Sequence, residues 1–203
     1  MALSTYSELQ AAVLNWMARD STDTIAAIVP DAIRLAEAKF NRLLRVAEME
    51  ANSTGSSTNG VFALPVDFLA ARRVEASPYG ALEPVLPDWA ASAYPTRESG
   101  IPAYYTIQGL TLTTYPTYTG DVSVDYYAAI PALSDAEPSN WLLAAYPDLY
   151  LFMTLAETCA FTQDVDKGAM WSQRAVLSIT EINAQDSLRR FPSARIRTLG
   201  PTP

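Results

Sequence analysis

The chain has 203 residues and a mass of 22.1 kDa, with 49% hydrophobic and 18% charged residues, enough for one ordinary domain or two small ones and unlike a disordered chain. It has no histidine and one cysteine, Cys159, which excludes Ser-His-Asp and Cys-His pairs, His-ligated metals, an intrachain disulfide and a Cys-rich zinc site. Four arginines and no acid lie from Ser187 onward, leaving ten bases against 22 acids before it, so the net charge of −8 divides into about −12 for the body and about +4 for the tail.

The order of helices, then strands, then helices is that of an α+β fold. It predicts a helical bundle from residues 1–45 and 138–188, an inserted β-rich region with a small antiparallel sheet over 46–137, and an extended C-terminal tail over 189–203. Thr5-x-x-Glu8 is a capping box, and Tyr6, Leu9, Val13, Trp16 and Met17 follow at helical spacing, which predicts a first amphipathic helix of about four turns. A second helix is expected to begin near Asp23 and to break at Pro30, whose ring removes a donor and clashes with the preceding turn. It resumes through Ile33, Ala36, Phe40, Leu43 and Leu44, with Arg34, Glu37, Asn41 and Arg45 on the opposite face.

From Val46 to Ile130 the period shortens toward two. Gly55-Ser-Ser-Thr-Asn-Gly60 reads as a flexible hairpin tip between two short strands, with Asn59-Gly60 supplying the positive φ of a tight turn. Pro87 to Tyr94 reads as a short helix. Tyr105, Ile107, Leu110 and Leu112 flank Gln108-Gly109, and Val122, Val124 and Tyr126 alternate after Thr119-Gly120-Asp121, as in strands of a small antiparallel sheet. The uncharged stretch Ile101 to Gly120 is interrupted by Pro102, Gly109 and Pro116 and does not suit a membrane helix. No cationic segment followed by an apolar run opens the chain, so no secretory signal is expected.

Ser139 is expected to cap a helix over Asn140 to Tyr146, and Pro147 fits the first turn of the next. Leu149 to Phe161 is apolar nearly all round, which predicts the most buried helix of the fold. Asp164 to Leu188 forms the last and longest helix, with Trp171, Ala175, Val176, Ile179 and Ile182 inward. Beyond it no periodicity remains.

Without histidine, carboxylates are the natural acid and base. Glu157, on the buried helix, is the first to test, but a lone carboxylate in a bundle more often meets an arginine or a backbone partner than a substrate. Asp164 and Asp166, beside Lys167, sit at a helix start, where capping is the simpler account. Cys159 reads as a small buried hydrophobe. Tyr94, Tyr104, Tyr105, Tyr115, Tyr118, Tyr126 and Tyr127 suit strand packing and subunit contacts better than a stacking platform, since the surrounding acid disfavours nucleic acid. No catalytic, cofactor or metal site is expected.

The tail is the strongest candidate for an interaction. Arg189, Arg190, Arg195 and Arg197 alternate with Phe191, Ile196 and Leu199, the pattern of a segment that docks apolar anchors held by charge-assisted bonds. Pro192, Pro201 and Pro203 reduce the entropy lost on docking. The arginines alone would suit nonspecific nucleic acid, but the apolar residues between them favour a protein partner. The tip Gly55, Ser56, Ser57, Thr58, Asn59 and Gly60 is either a mobile loop or a contact with a further protein.

Asn41-Arg-Leu-Leu-Arg45, Phe62-Ala-Leu-Pro-Val-Asp-Phe68, Gly100-Ile-Pro-Ala-Tyr-Tyr-Thr-Ile107, Val124-Asp-Tyr-Tyr-Ala-Ala-Ile-Pro-Ala-Leu133 and Asn140-Trp-Leu-Leu-Ala-Ala-Tyr-Pro-Asp-Leu-Tyr-Leu151 follow one another along the chain. In order and spacing these runs resemble the head-to-tail adaptor (connector) proteins of tailed bacteriophages. The resemblance spans residues 1–190 and implies a structural virion protein made in the host cytoplasm. It implies a ring, usually of twelve copies, docked beneath the portal protein, with the tail or nozzle protein below and double-stranded DNA passing through without sequence-specific binding. It implies no catalytic residue, no cofactor and no membrane partner. In such proteins the C-terminal segment reaches the portal, which matches the chemistry of the arginine-rich tail. Two other readings stay open: a carbohydrate-binding module using Tyr and Trp faces, and a carboxylate-only phage hydrolase with Glu157 exposed opposite a second acid.

Overall fold

A computed structural model describes residues 3–18 and 24–190. The expected helix start near Asp23 and the tail residues Phe191, Arg195, Ile196, Arg197 and Leu199 lie outside them. The chain forms two compact units, one from the described residues up to Glu48 together with those from Ile130 onward, the other Met49–Ala129.

The helical unit opens with α1 (Tyr6–Trp16), nucleated by the capping box. The Glu8 amide donates to Thr5 Oγ1 at 3.3 Å, and the Thr5 amide donates to Glu8 Oε2 at 3.1 Å. The helix has about three turns, one fewer than expected, because the chain turns at Ala18 with φ of 54°. Tyr6, Leu9, Ala12, Val13 and Leu14 are buried. After a 3-10 turn at Thr24–Ala27, α2 (Val29–Leu43) buries Val29, Ala32, Ile33, Ala36 and Phe40. Pro30 lies in its first turn, where the missing donor has no intrahelical acceptor to lose, so it opens this helix and does not interrupt one. Leu43 is exposed and Leu44 buried. Glu37, expected outward, is buried.

The second unit is a pair of four-stranded sheets, not one small sheet. Its strands are β1 (Glu50–Ser57), β2 (Val61–Ala63), β3 (Phe68–Ala76), β4 (Gly80–Ala81) and β5 (Glu83–Pro84), then the helix α3 (Pro87–Ala93), then β6 (Tyr104–Gln108), β7 (Thr111–Tyr115) and β8 (Gly120–Ala128). The orders are β1-β8-β3-β4 and β2-β7-β6-β5, antiparallel except where β5 meets β6. Val74, Ala76, Val122, Val124 and Tyr126 of the first sheet share a core with Phe62, Tyr105 and Leu112 of the second. The β6–β7 hairpin turns at Gly109 (φ 60°) with Ile107 facing Leu112, as the spacing implied.

The Gly55 to Gly60 segment differs from a free tip. Gly55, Ser56 and Ser57 belong to β1, paired with Val122, Asp121 and Gly120. Ser57 is fully buried, and its hydroxyl donates to the Tyr118 carbonyl at 3.0 Å. The turn itself is Asn59-Gly60, with φ of 52° and 73°, and it carries the chain from one sheet to the other. It is held by bonds from the Asn59 amide to Thr119 Oγ1 (3.2 Å), the Gly60 amide to the Tyr118 carbonyl (2.9 Å) and the Thr114 amide to the Gly60 carbonyl (2.8 Å). A Cβ on Gly60 would lie 3.2 Å from both Thr114 Oγ1 and Thr117 Cγ2. Gly60→Ala is therefore expected to destabilise the unit by about 1–2 kcal/mol from the left-handed backbone alone. A urea titration with an unchanged midpoint would show that the turn relaxes.

The chain returns to the helical unit through α4 (Trp141–Ala145) and α5 (Pro147–Phe161), then ends in α6 (Val165–Arg190). Asn140, not Ser139, caps α4: its Oδ1 accepts the Leu143 amide at 2.8 Å. Pro147 opens α5, which buries Leu149, Tyr150, Leu151, Met153, Leu155 and Cys159 and packs on α1, α2, α4 and α6. Ala175, Ile179 and Ile182 form the buried stripe of α6, while Val176 is exposed. The helix passes Leu188 by two residues because its last turn is anchored: Arg190 pairs with Asp186 at 2.8 Å and Arg189 with Glu48 at 3.1 Å. Bases there also complement the helix dipole.

Candidate functional site

The residues weighed as a catalytic site are occupied structurally. Glu157 pairs with Lys39 of α2, a lysine where an arginine was the expected partner. The pair lines a cleft of about 350 Å³ with Cys159 and Asp164. Asp164 is engaged: its Oδ1 accepts the Lys167 amide at 3.3 Å and its Oδ2 pairs with Lys167 Nζ at 2.7 Å, which holds its carboxyl below the usual range. Burial pushes the Cys159 thiol up, away from the reactive thiolate. Among the described residues no group of three His, Cys, Asp or Glu side chains is placed to hold a metal ion.

A second cleft, of about 610 Å³, lies on the sheet unit between β1, β3 and β8. Its acids are Glu75 and Asp121. Glu75 pairs with Arg73, and Asp121 Oδ1 accepts the Ser56 hydroxyl at 2.9 Å. Both carboxylates are thereby engaged within the sheet.

The tyrosines divide by sheet and side. Tyr105 and Tyr126 point into the core, and Tyr126 donates to Asp67 at 3.1 Å. Tyr94 and Tyr104 pack on Trp89 of α3 and Tyr115 packs on Tyr94, with ring centroids 5.0–6.4 Å apart. Arg97 lies 6.0 Å from the Tyr115 centroid. This aromatic cluster joins α3 to the second sheet, so packing accounts for it. In the helical unit Trp16, Phe152 and Trp171 form another cluster, with Arg174 over Trp171 and Phe152.

Sequence reasoning missed the most connected polar group, Glu37. Its Oε1 accepts the Leu133 amide at 2.8 Å and the Tyr150 hydroxyl at 3.2 Å. Asn140 Nδ2 donates to Tyr150 Oη and to the Pro131 carbonyl, each at 2.7 Å. Burial raises the Glu37 carboxyl and pushes the Tyr150 phenol far up. Nearby, Asn41 Oδ1 accepts the Ile130 amide at 2.9 Å. These bonds fix the returning connector to α2. The network satisfies buried backbone donors, the Leu133 and Ile130 amides among them.

Of the tail residues singled out, Arg189 and Arg190 sit in the last turn of α6. Arg190 is largely covered against Asp186, whose Oδ1 also accepts the Ala47 amide at 3.0 Å. The Arg45 amide donates to Asn183 Oδ1 at 3.1 Å. This end of α6 therefore anchors the outgoing connector. Among the described residues no helix is long and apolar enough to cross a membrane.

No curated protein matches the chain. The family model described as SU10 adaptor protein does match it, over residues 4–198. That span takes in both units and the resembling runs from Asn41 to Leu151. The match covers nearly the whole chain and implies a virion part that works with portal and tail proteins: the chain belongs to the phage head-to-tail adaptor family.

Proposed function

We propose that the protein forms the ring between portal and tail and lines the DNA passage, in twelve copies as the resemblance implies. The observation that carries this is the family match across nearly the whole chain. The charge distribution supports it: an acidic body repels the duplex, avoids counterion-release binding and lets DNA slide. Phe191, Arg195, Ile196, Arg197 and Leu199 are assigned to portal docking. Arg189 and Arg190, engaged with Glu48 and Asp186, give that arm a fixed root. The Asn59-Gly60 turn is assigned to the tail or nozzle protein below, with Gly55 to Ser57 shaping the strand behind it. Work by this ring is mechanical and calls for no catalytic group or cofactor.

The test is direct imaging. The full chain mixed with portal rings should give a cap of uniform copy number by native mass measurement and negative-stain microscopy. A chain that remains monomeric and ignores portal rings would overturn the assignment.

A further inference from the structure

The helix α6 has two apolar stripes. One, Ala175, Ile179 and Ile182, is buried. At 100° per residue, Met170, Leu177, Ala184 and Leu188 fall on the opposite side, together with Glu181. Met170, Leu177 and Leu188 are 41%, 56% and 70% exposed. A surface helix needs one apolar stripe to join its own core, and a second calls for another partner.

The same unit carries a matching face. On α2, opposite the buried Val29, Ile33, Ala36 and Phe40, lie Leu35, Ala38 and Arg42, with Arg34 beside them. Leu35 is 54% exposed. Neither Arg42 of α2 nor Glu181 of α6 has an ion-pair partner among the described residues. By contrast, Arg174 of α6 is held over Trp171 and Phe152, and Arg34 reaches Asp31. The α6 face thus carries an unpaired acid beside its apolar stripe, and the α2 face an unpaired base beside Leu35, with Asp31 of that face taken up by Arg34.

We propose that the outer stripe of α6 docks on the outer face of α2 of a second copy, with Leu177 against Leu35 and Glu181 paired to Arg42. Two different faces of one chain make a heterologous contact, the kind that propagates from copy to copy and builds a ring when the rotation between copies closes. An isologous α6–α6 pairing would stop at two copies. This contact rests on the ring assignment above and names the surface that builds the ring.

The experiment uses the full chain with portal rings, read by native mass measurement and negative-stain microscopy, with circular dichroism as a check on folding. Leu177→Asp is expected to leave helicity and melting unchanged, since the side chain is exposed, and to reduce assembled copies at least tenfold. Arg42→Glu and Glu181→Arg should each do the same, and the double variant Arg42→Glu/Glu181→Arg should restore assembly. If all three single variants form rings like the unaltered chain, the α2–α6 contact is wrong while the ring assignment stands. A double variant no better than the single ones, or a particle of two copies, also overturns the contact. Failure of the unaltered chain to form rings on the portal would overturn both.

Discussion

A chain that stops at Arg190 is expected to keep its fold and lose its attachment to portal rings. The described residues reach Arg190, and the last two are engaged: Arg189 is bridged to Glu48 and Arg190 to Asp186, and Asp186 also holds the Ala47 amide. Truncation after Leu188 would remove both anchors and confuse loss of docking with loss of structure. Removing residues 191–203 takes away the apolar and basic residues assigned to docking and spares both anchors. Each arm alone binds weakly, but arms tethered to one ring act at high effective concentration, so their joint removal should weaken attachment by about 100-fold or more. The attachment of the intact chain should also fall steeply with ionic strength. Cosedimentation with portal rings across a salt series measures both. Equal attachment by the shortened chain at low salt would place the docking surface elsewhere.

Tyr150→Ala is expected to have the largest effect on stability, about 3–5 kcal/mol, from loss of a fully buried ring. Its ring packs edge to face on Phe40 at 5.0 Å, and its hydroxyl lies between Asn140 and Glu37. The corresponding fall in melting temperature of the helical unit is on the order of 10 °C. Tyr150→Phe keeps the packing and leaves two buried partners without the hydroxyl, at a cost of about 1–3 kcal/mol. Glu37 separates charge from hydrogen bonding. Because burial raises its pKa, the folded chain keeps this proton to a higher pH than the unfolded chain does. That contribution is full below the ordinary carboxylate value of about 4.3 and is lost as pH rises through the folded value. Glu37→Gln retains an oxygen for Leu133 and Tyr150 and has no such proton to lose. Its melting temperature should therefore decline less than that of the unaltered chain between acid and neutral pH. Glu37→Ala strands both donors and should cost at least about 2 kcal/mol. Melting curves over that range decide the matter, and parallel profiles for the unaltered chain and the Glu37→Gln variant would remove the titration from the account.

Local signals in the sequence are sufficient wherever the structure is local. The Thr5–Glu8 box, the Gly109 hairpin, the alternation in β8 and Pro147 at the head of α5 each depend on neighbours a few residues apart. Reading fails where distant segments decide. Glu37 lies on the wrong face for a surface acid only because Leu133 and Tyr150, 96 and 113 residues away, supply its donors. The single expected sheet is in fact two because β1 and β2, joined by a tight turn, find different partners in β8 and β7. Pro30 reads as a break because the same residue can end one helix or begin the next, and the preceding 3-10 turn decides between them. At the candidate sites, Lys39 escapes notice as the partner of Glu157 because nothing in either helix alone puts them together. The second stripe of α6 lies open in the sequence, yet its exposure emerges only once the buried side of the helix is known.

The insertion of the sheet unit has a consequence for how the molecule is made. A ribosome would release α1 and α2 first, then all of residues 49–129, and only afterwards α5, the helix that packs on α1 and α2. The sheet sandwich holds its whole core within its own stretch of chain and can complete itself in that interval. The two halves of the helical bundle must wait, and when they meet they close a loop of 81 residues, Met49 to Ala129. A sandwich already folded has spent much of that closure entropy in advance. Nascent chains should therefore gain protease resistance in the sheets before the helices, and the bare α1–α2 pair is the stretch most in need of a chaperone.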